Sequence, residues 1–304
     1  MAARPVVGDR LPPLALPDLT GRRVVVTGAS AGIGRATATA LAGAGAEVVL
    51  AVRNPGKGEA TAAEIRRRHA GAQVVVEELE LGSLAGIAAF VARVGAKPVH
   101  LLVNNAGTST SDRDARTSDG FDLQVGVNYL GAWALTAGLW PSLRAAGDAR
   151  VVMLGSIMAT RGRIGPDFGG PGSTYRSYSD SKLAAVVLAG ELRRRSARAD
   201  AGVSAVAAHP GWCQTAIFDT AGPPAWVETA GRVLRAIQSP ADGAQPVLLA
   251  ATDPRPAAYY GPTRLGGSAG PAGPAKLPPG ALEPGVGDRL WQVSERLTGV
   301  PFEP

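Results

Sequence analysis

Residues 23–36 read Arg23-Val24-Val25-Val26-Thr27-Gly28-Ala29-Ser30-Ala31-Gly32-Ile33-Gly34-Arg35-Ala36. A β-branched run turns through three glycines into a helix-forming stretch. Glycines at such a junction let the chain turn sharply and bring its backbone close to a ligand. The N–H groups and positive end of the following helix then face an anion. A Gly-rich turn can be purely structural, but strand before and helix after is the context of a dinucleotide pyrophosphate site. The backbone of Gly28, Ser30, Ala31, Gly32, Ile33 and Gly34 is the expected cradle.

Working outward, short apolar runs recur at Glu47–Leu50, Val74–Val76, Val99–Val103, Arg150–Leu154 and Val203–Val206. They are continuous rather than alternating, the pattern of a parallel sheet covered on both faces. Segments at about 32–45, 55–70, 83–96, 119–146 and 177–200 are long enough for crossover helices. Repeated βα units predict a doubly wound sheet of about seven strands in a single α/β domain. A TIM barrel is the competing architecture, but it needs eight units and a different first turn. The expected division is an N-terminal extension 1–19, a catalytic domain 20–260 and a C-terminal part 261–304. Two stretches interrupt the rhythm: the Gly/Pro-rich loop 161–173, and Gly261–Gly287, expected to wrap the surface without regular structure. Asp288–Thr298 has apolar Leu290, Trp291, Val293 and Leu297 between charges and predicts a docked helix.

The 304 residues are 45% hydrophobic and 18% charged, which excludes a chain disordered over most of its length. A single cysteine, Cys213, excludes a disulfide framework and a Cys-rich zinc module. The first twenty residues have no continuous apolar core, and no charge-free apolar run is long enough to span a bilayer. A cytoplasmic protein with no membrane partner is expected. The net charge of +6 raises the question of nucleic acid. However, Arg66-Arg67-Arg68 and Arg193-Arg194-Arg195 lie in helical stretches without interleaved aromatics, so solvated helix faces are preferred to a polynucleotide site.

The end of the second strand reads Ala51-Val52-Arg53-Asn54, with Arg53 nineteen positions after Gly34. An NAD site offers a carboxylate there for the ribose hydroxyl. A guanidinium instead matches a 2′-phosphate, and NADP(H) is preferred, with an ordinary surface arginine as the alternative. Further on, Tyr178-Ser179-Asp180-Ser181-Lys182 places a phenol and an ammonium on one helix face. A phenol with a pKa of ~10 is a poor acid or base at neutral pH. A nearby ammonium and an oxidised nicotinamide would both favour phenolate and bring it toward the working range.

Taken as a set, the turn Gly28–Gly34, Asn104-Asn105-Ala106-Gly107, Ser156 and the Tyr178/Lys182 pair resemble the short-chain dehydrogenase/reductase family over about residues 20–260. Asp18–Arg22, Val52–Pro55 and His209–Trp212 are similar to its retinol-dehydrogenase-like and protochlorophyllide-reductase-like branch. The resemblance implies a Rossmann-type fold and oxidoreduction of a carbonyl/alcohol pair. It implies that Tyr178 exchanges the proton with the substrate oxygen and that Ser156 hydrogen-bonds that oxygen. Lys182 would hold the nicotinamide ribose, and Asn128 would hold Lys182 through water. Leu81, Asn105, Ala106 and Gly107 would line the adenosine, and Pro210, Gly211, Trp212 and Thr215 the nicotinamide. Family members often associate through the helices expected here at 119–146 and 177–200, so a homo-oligomer is entertained.

Several positions depart from the family pattern. Glu80 stands where an aspartate is usual, and Ala31 where many NADP-dependent members carry a basic residue. Phosphate selectivity therefore falls to Arg53, with Asn54 beside it. Ser156 and Tyr178 are 22 positions apart; the surplus is the 161–173 loop, expected at the substrate rim. Tyr175 has no lysine four residues on. His209 and Cys213 suggest a dyad or half a metal site, but no third and fourth ligands follow, so no metal is expected. Met153, Met158, Trp133 and Trp140 read as packing. The function expected is an NADP(H)-dependent carbonyl reductase acting on a moderately apolar small molecule, its pocket lined by Ile217, Phe218 and Trp226. A catalytically silent NADP-binding regulatory protein is the alternative. An epimerase or dehydratase of the extended branch would need a different glycine turn and a larger C-terminal domain.

Overall fold

The computed structural model describes residues 11–166, 168–170, 172–213 and 237–304. Six strands follow the apolar runs: β1 (Arg23–Thr27), β2 (Glu47–Val52), β3 (Val74–Glu78), β4 (Leu101–Asn104), β5 (Ala149–Leu154) and β6 (Val203–Ala208). Two more, β7 (Tyr259–Arg264) and β8 (Ala269–Pro274), complete an eight-stranded sheet of order β3-β2-β1-β4-β5-β6-β7-β8 among the described residues. Neighbours pair in parallel up to β7, and β8 closes the edge antiparallel to it. The open edges and reversed strand order exclude a barrel. The order reverses between β1 and β4, the switch point where ligands of such sheets bind.

Burial on both faces explains the apolar strands. Val25, Val49, Leu102, Val151 and Ala205 turn to one face. That face is covered by α3 (Leu84–Val94), α5 (Gly131–Gly138), α7 (Thr174–Arg198) and the C-terminal helix α9, which comprises Val286–Thr298. Val24, Val48, Leu50, Val103, Val152 and Val206 turn to the other. There α1 (Gly32–Gly43), α2 (Pro55–Arg68) and α8 (Pro240–Thr252) cover them. The extension contributes Leu14, Leu16 and Leu19 to this second face, and its Leu11 N–H donates to Asp242 Oδ1 at 3.0 Å.

Two expectations are corrected. The Gly/Pro-rich stretch 261–287 is not free of regular structure: it holds most of β7 and all of β8, joined by Leu265-Gly266-Gly267 with positive φ of 49°, 63° and 87°. Proline and glycine are tolerated because β8 is the edge strand and β7 pairs with β6 only through Tyr259 and Tyr260. Gly261 is there for space, since a Cβ on it would lie 1.9 Å from His209 Nε2. The second correction concerns 119–146, which is not one helix. It breaks into α4 (Leu123–Val125), a π-turn at Gly126–Leu130, α5 and then α6 (Trp140–Ala145), whose Pro141 supplies no N–H to continue α5. The π-turn, a feature that recurs at functional sites, carries Asn128.

Candidate active site

At the switch point, Thr27 ends β1 and its hydroxyl staples the end of β4. Thr27 Oγ1 accepts from the N–H groups of Asn105 and Ala106 at 3.0 and 2.9 Å. Asn105 Nδ2 donates back to the Thr27 carbonyl at 2.8 Å. The glycine turn therefore lies directly on Asn105-Ala106: a Cβ on Gly28 would be 2.9 Å from Ala106 Cα, and one on Gly34 would be 2.4 Å from Asn105 Nδ2.

The helix that follows differs from α2 and α8, which cover the same face of the sheet. Helices α2, α3, α7 and α8 have their first N–H groups capped by Asn54, Ser83, Ser173 and Ser239. Helix α1 has Ala31 at this position, no side-chain cap and no acidic residue in its first turn. Its free N–H groups and positive end suit an anion. Exposed Arg53 stands at the end of β2, and among the described residues its guanidinium has no hydrogen-bond or ion-pair partner. These features fit the pyrophosphate of a dinucleotide. Asn54 Oδ1, in contrast, is engaged by Lys57 N at 3.0 Å, and Glu80 Oε1 closes its own turn on Gly82 N at 2.8 Å. Leu81 is buried beside that turn.

The catalytic candidates sit where β5 and α7 meet. The helix presents a run of buried residues from Ser177 to Lys182, mostly polar. Such a run folds only with partners, and they are present. Ser179 and Ser181 donate to the carbonyls of Tyr175 and Tyr178, and Asp180 Oδ1 accepts the Arg163 N–H at 2.7 Å. The buried Tyr178 phenol lies beside Ser156, whose hydroxyl caps the 3₁₀ turn Ile157–Arg161 by accepting from Met158 N at 3.2 Å. Lys182 Nζ donates to the Leu154 carbonyl at 3.2 Å and lies 5.9 Å from the centroid of the Tyr178 ring. Asn128 Oδ1 accepts from Thr108 N at 2.6 Å, and its Nδ2 donates to the Thr108 carbonyl at 3.0 Å and to Ser181 Oγ at 3.1 Å.

Burial governs the protonation of the pair. It pushes the Lys182 ammonium down to about 8. It also raises the Tyr178 phenol above its ordinary value, with the Ser156 hydrogen bond opposing in part. The expected lowering by Lys182 does not figure in the protein alone, where Ser156 is the one group that opposes burial.

Pro210, Gly211 and Trp212 follow β6. The imidazole of His209 accepts Gly211 N–H at Nδ1, 3.3 Å away, and Trp212 N–H donates to the Ser268 carbonyl at 2.8 Å. His209 and Cys213 do not face each other as a dyad: Cys213 Sγ contacts the Ser239 carbonyl at 3.2 Å. Burial drives the imidazole down to about 4 and the thiol up to about 12. No His/Cys/Asp/Glu cluster fit for a metal occurs among the described residues. Thr215, Ile217, Phe218 and Trp226 lie outside the described residues. The 161–173 loop turns inward in part: Ile164 and Phe168 are buried, with Phe168 edge-on to Tyr129 at 5.5 Å. Residues overlooked in the sequence are Thr27, Thr108 and Ser181, the partners that orient Asn105, Asn128 and α7. Only their places beside the motifs signalled them.

A sequence model described as short chain dehydrogenase matches residues 22–225. The chain belongs to the short-chain dehydrogenase/reductase family. Within it, the chain falls in the retinol-dehydrogenase-like branch. It is 35% identical to human dehydrogenase/reductase SDR family member 13, covering 93% of this chain and 74% of that one. Against human retinol dehydrogenase 11 it is 34% identical, covering 94% of this chain and 88% of that one. Among solved structures, an uncharacterized protein of Mycobacterium paratuberculosis is 34% identical with a TM-score of 0.79, covering 95% of this chain and 97% of that one. A NAD(P)-dependent gluconate 5-dehydrogenase of Beutenbergia cavernae, with NADP bound, is 30% identical with a TM-score of 0.62; the match covers 78% of this chain and 91% of that one. As a short-chain dehydrogenase/reductase the chain is an oxidoreductase with neighbours that bind NAD(P). No helix among its described residues is long and apolar enough to cross a membrane.

Proposed function

We propose that the chain is an NADP(H)-dependent oxidoreductase that interconverts a carbonyl and an alcohol on a moderately apolar small molecule, in net use a carbonyl reductase. The observation that carries this reading is the buried Tyr178 phenol beside Ser156, with Lys182 one helical turn away, at the carboxyl end of β5. Relatives named for retinol support an apolar substrate.

The uncapped α1 terminus, Gly28, Ser30, Ala31, Gly32, Ile33, Gly34, Leu81, Asn105, Ala106 and Gly107 would hold the dinucleotide, with Arg53 and Asn54 at its 2′-phosphate. Pro210, Gly211, Trp212 and Thr215 would flank the nicotinamide, which supplies or takes the hydride when bound. Tyr178 gives the proton to the carbonyl oxygen during reduction and takes it back during oxidation, while Ser156 orients that oxygen. Lys182 swings from the Leu154 carbonyl toward the bound ribose, where its charge favours phenolate at Tyr178 and offsets the effect of burial. Asn128 braces α7 at Ser181 and keeps Lys182 within reach of a water-borne proton.

The test is to follow NADPH and NADH oxidation separately over a panel of aldehydes, ketones and quinones. Turnover of at least one carbonyl with NADPH is expected, falling roughly 10²–10⁴-fold in Tyr178→Phe. A Tyr178→Phe enzyme at near-normal rate would remove the proton-donor role. NADPH binding with no turnover across the panel would favour the silent regulatory protein.

A further inference from the structure

Tyr129 immediately follows Asn128 in the π-turn, yet it faces the other way and is fully buried. Its hydroxyl lies 2.6 Å from Ser294 Oγ on the C-terminal helix. Ser294 has one hydrogen and gives it to the Leu290 carbonyl at 2.7 Å. The phenol must therefore be the donor. The ring of Tyr129 also meets Phe168, from the 161–173 loop, edge-on at 5.5 Å with an interplanar angle of 84°. One residue away, the Asn128 carboxamide makes three hydrogen bonds to Thr108 and Ser181. Adjacent side chains of one turn thus join four segments: the chain after β4 and α7 on one side, the loop and α9 on the other.

Asn128 and Tyr129 are neighbours on this π-turn, so what holds the turn from behind bears on the direction of the carboxamide. Tyr129 has the only side chain of the turn shown bonded to the C-terminal helix. We infer that Tyr129, clamped by Ser294, is a positioning residue that aims the Asn128 carboxamide at Thr108 and Ser181 and so ties the C-terminal helix to the proton-transfer site. The kinetic part of this inference rests on the function proposed above; the mechanical part does not.

Tyr129→Phe and Ser294→Ala each remove the clamp without touching Asn128, and the first retains the ring against Phe168. In both variants the buried Asn128 carboxamide protons, followed by NMR, are expected to exchange with solvent roughly tenfold faster or more. The double variant should be no worse than the more affected single one, because both remove the same interaction. For a carbonyl that the wild type reduces, kcat is expected to fall roughly 3- to 10-fold with KM for carbonyl and NADPH unchanged. The Tyr178-governed limb of the kcat–pH profile should move as well. A bond that only held the helix in place would lower thermal stability and leave that limb and the KM-against-kcat split untouched; this result would overturn the positioning role. Unchanged carboxamide exchange would overturn the mechanical link even in an active enzyme. If the wild type reduces no carbonyl, the proposed function fails, and exchange alone decides the link.

Discussion

Lys182 is an ammonium enclosed by the fold, and its placement has a thermodynamic signature. In the unfolded chain its amine stays protonated up to about 10.5, whereas in the folded protein it sheds its proton near about 8. Between these values the unfolded state binds more protons, so stability rises with pH through that window. Below about 8 the burden of the buried charge is present in full, about 3 kcal/mol. Lys182→Met removes that burden and leaves the Leu154 carbonyl without its donor, which costs about 1 kcal/mol. The variant is expected to be about 2 kcal/mol more stable than the wild type at pH 7, while losing turnover. Denaturant melts from pH 7 to pH 10.5 should show the advantage shrinking and then reversing; a variant less stable at pH 7 would contradict the account. Arg53 allows a second residue-scale prediction. Its guanidinium has no protein partner to lose among the described residues, so Arg53→Ala should leave the fold and NADH binding unchanged. A charge-assisted contact is worth about 1.5–3 kcal/mol, so NADPH affinity measured by calorimetry should drop roughly 10- to 100-fold.

At the scale of elements, the β6–β7 junction is where packing overrides local signals. The imidazole of His209 fills the space above Gly261 and tilts against Tyr259 at 5.1 Å. Its folded pKa of about 4 lies below the ordinary 6.5. As pH falls from about 6.5 toward about 4, the unfolded chain takes up a proton that the folded one refuses, and stability is lost across that window. His209→Gln should flatten this stretch of the stability–pH curve; an unchanged slope would show that other groups cause it. Gly261→Ala should destabilise by about 1–3 kcal/mol, because the added methyl must displace a buried ring. The same junction shows what a single sequence conceals. The runs around Val24, Val48, Leu102 and Val151 announce strands because both their faces are buried, and the Gly28–Gly34 turn announces the switch point. Gly261 reads as a loop because the imidazole that requires a glycine there comes from the end of another strand. The π-turn is equally silent, since Asn128 is turned inward by Thr108 and Ser181, distant in sequence. The i,i+4 spacing put Tyr178 and Lys182 on one helix face, but only the set of motifs around them singled the pair out; the Leu154 carbonyl that Lys182 bonds was not legible.

For the whole molecule, the C-terminal helix decides which surfaces remain open. Trp291 packs edge-on against Trp133 at 4.6 Å, and Phe302 reaches both Trp133 and Trp140 at 5.4 and 5.3 Å. On the polar side, Asp288 bonds Arg194 and Arg195 at 2.8 Å each, and Glu191 bonds the same two arginines. Arg195 also stacks over Trp291 at 4.3 Å. Arg194 and Arg195 of the basic run thus serve to dock a helix, and part of the surface expected to carry subunit association is covered by the chain itself. A buried tryptophan removes about 150–250 Å² from water, so Trp291→Ala should cost about 3–5 kcal/mol in denaturant melts. Deleting residues 285–304 goes further and uncovers Trp133 and Trp140 together with the apolar side of α7. An exposed apolar patch of that kind drives association. The truncated chain is expected to self-associate in size-exclusion chromatography with light scattering and to melt well below the intact protein. The two measurements must move together, because one surface causes both. A truncated chain that stays monomeric at the wild-type midpoint would mean that the aromatic contacts add nothing to the core.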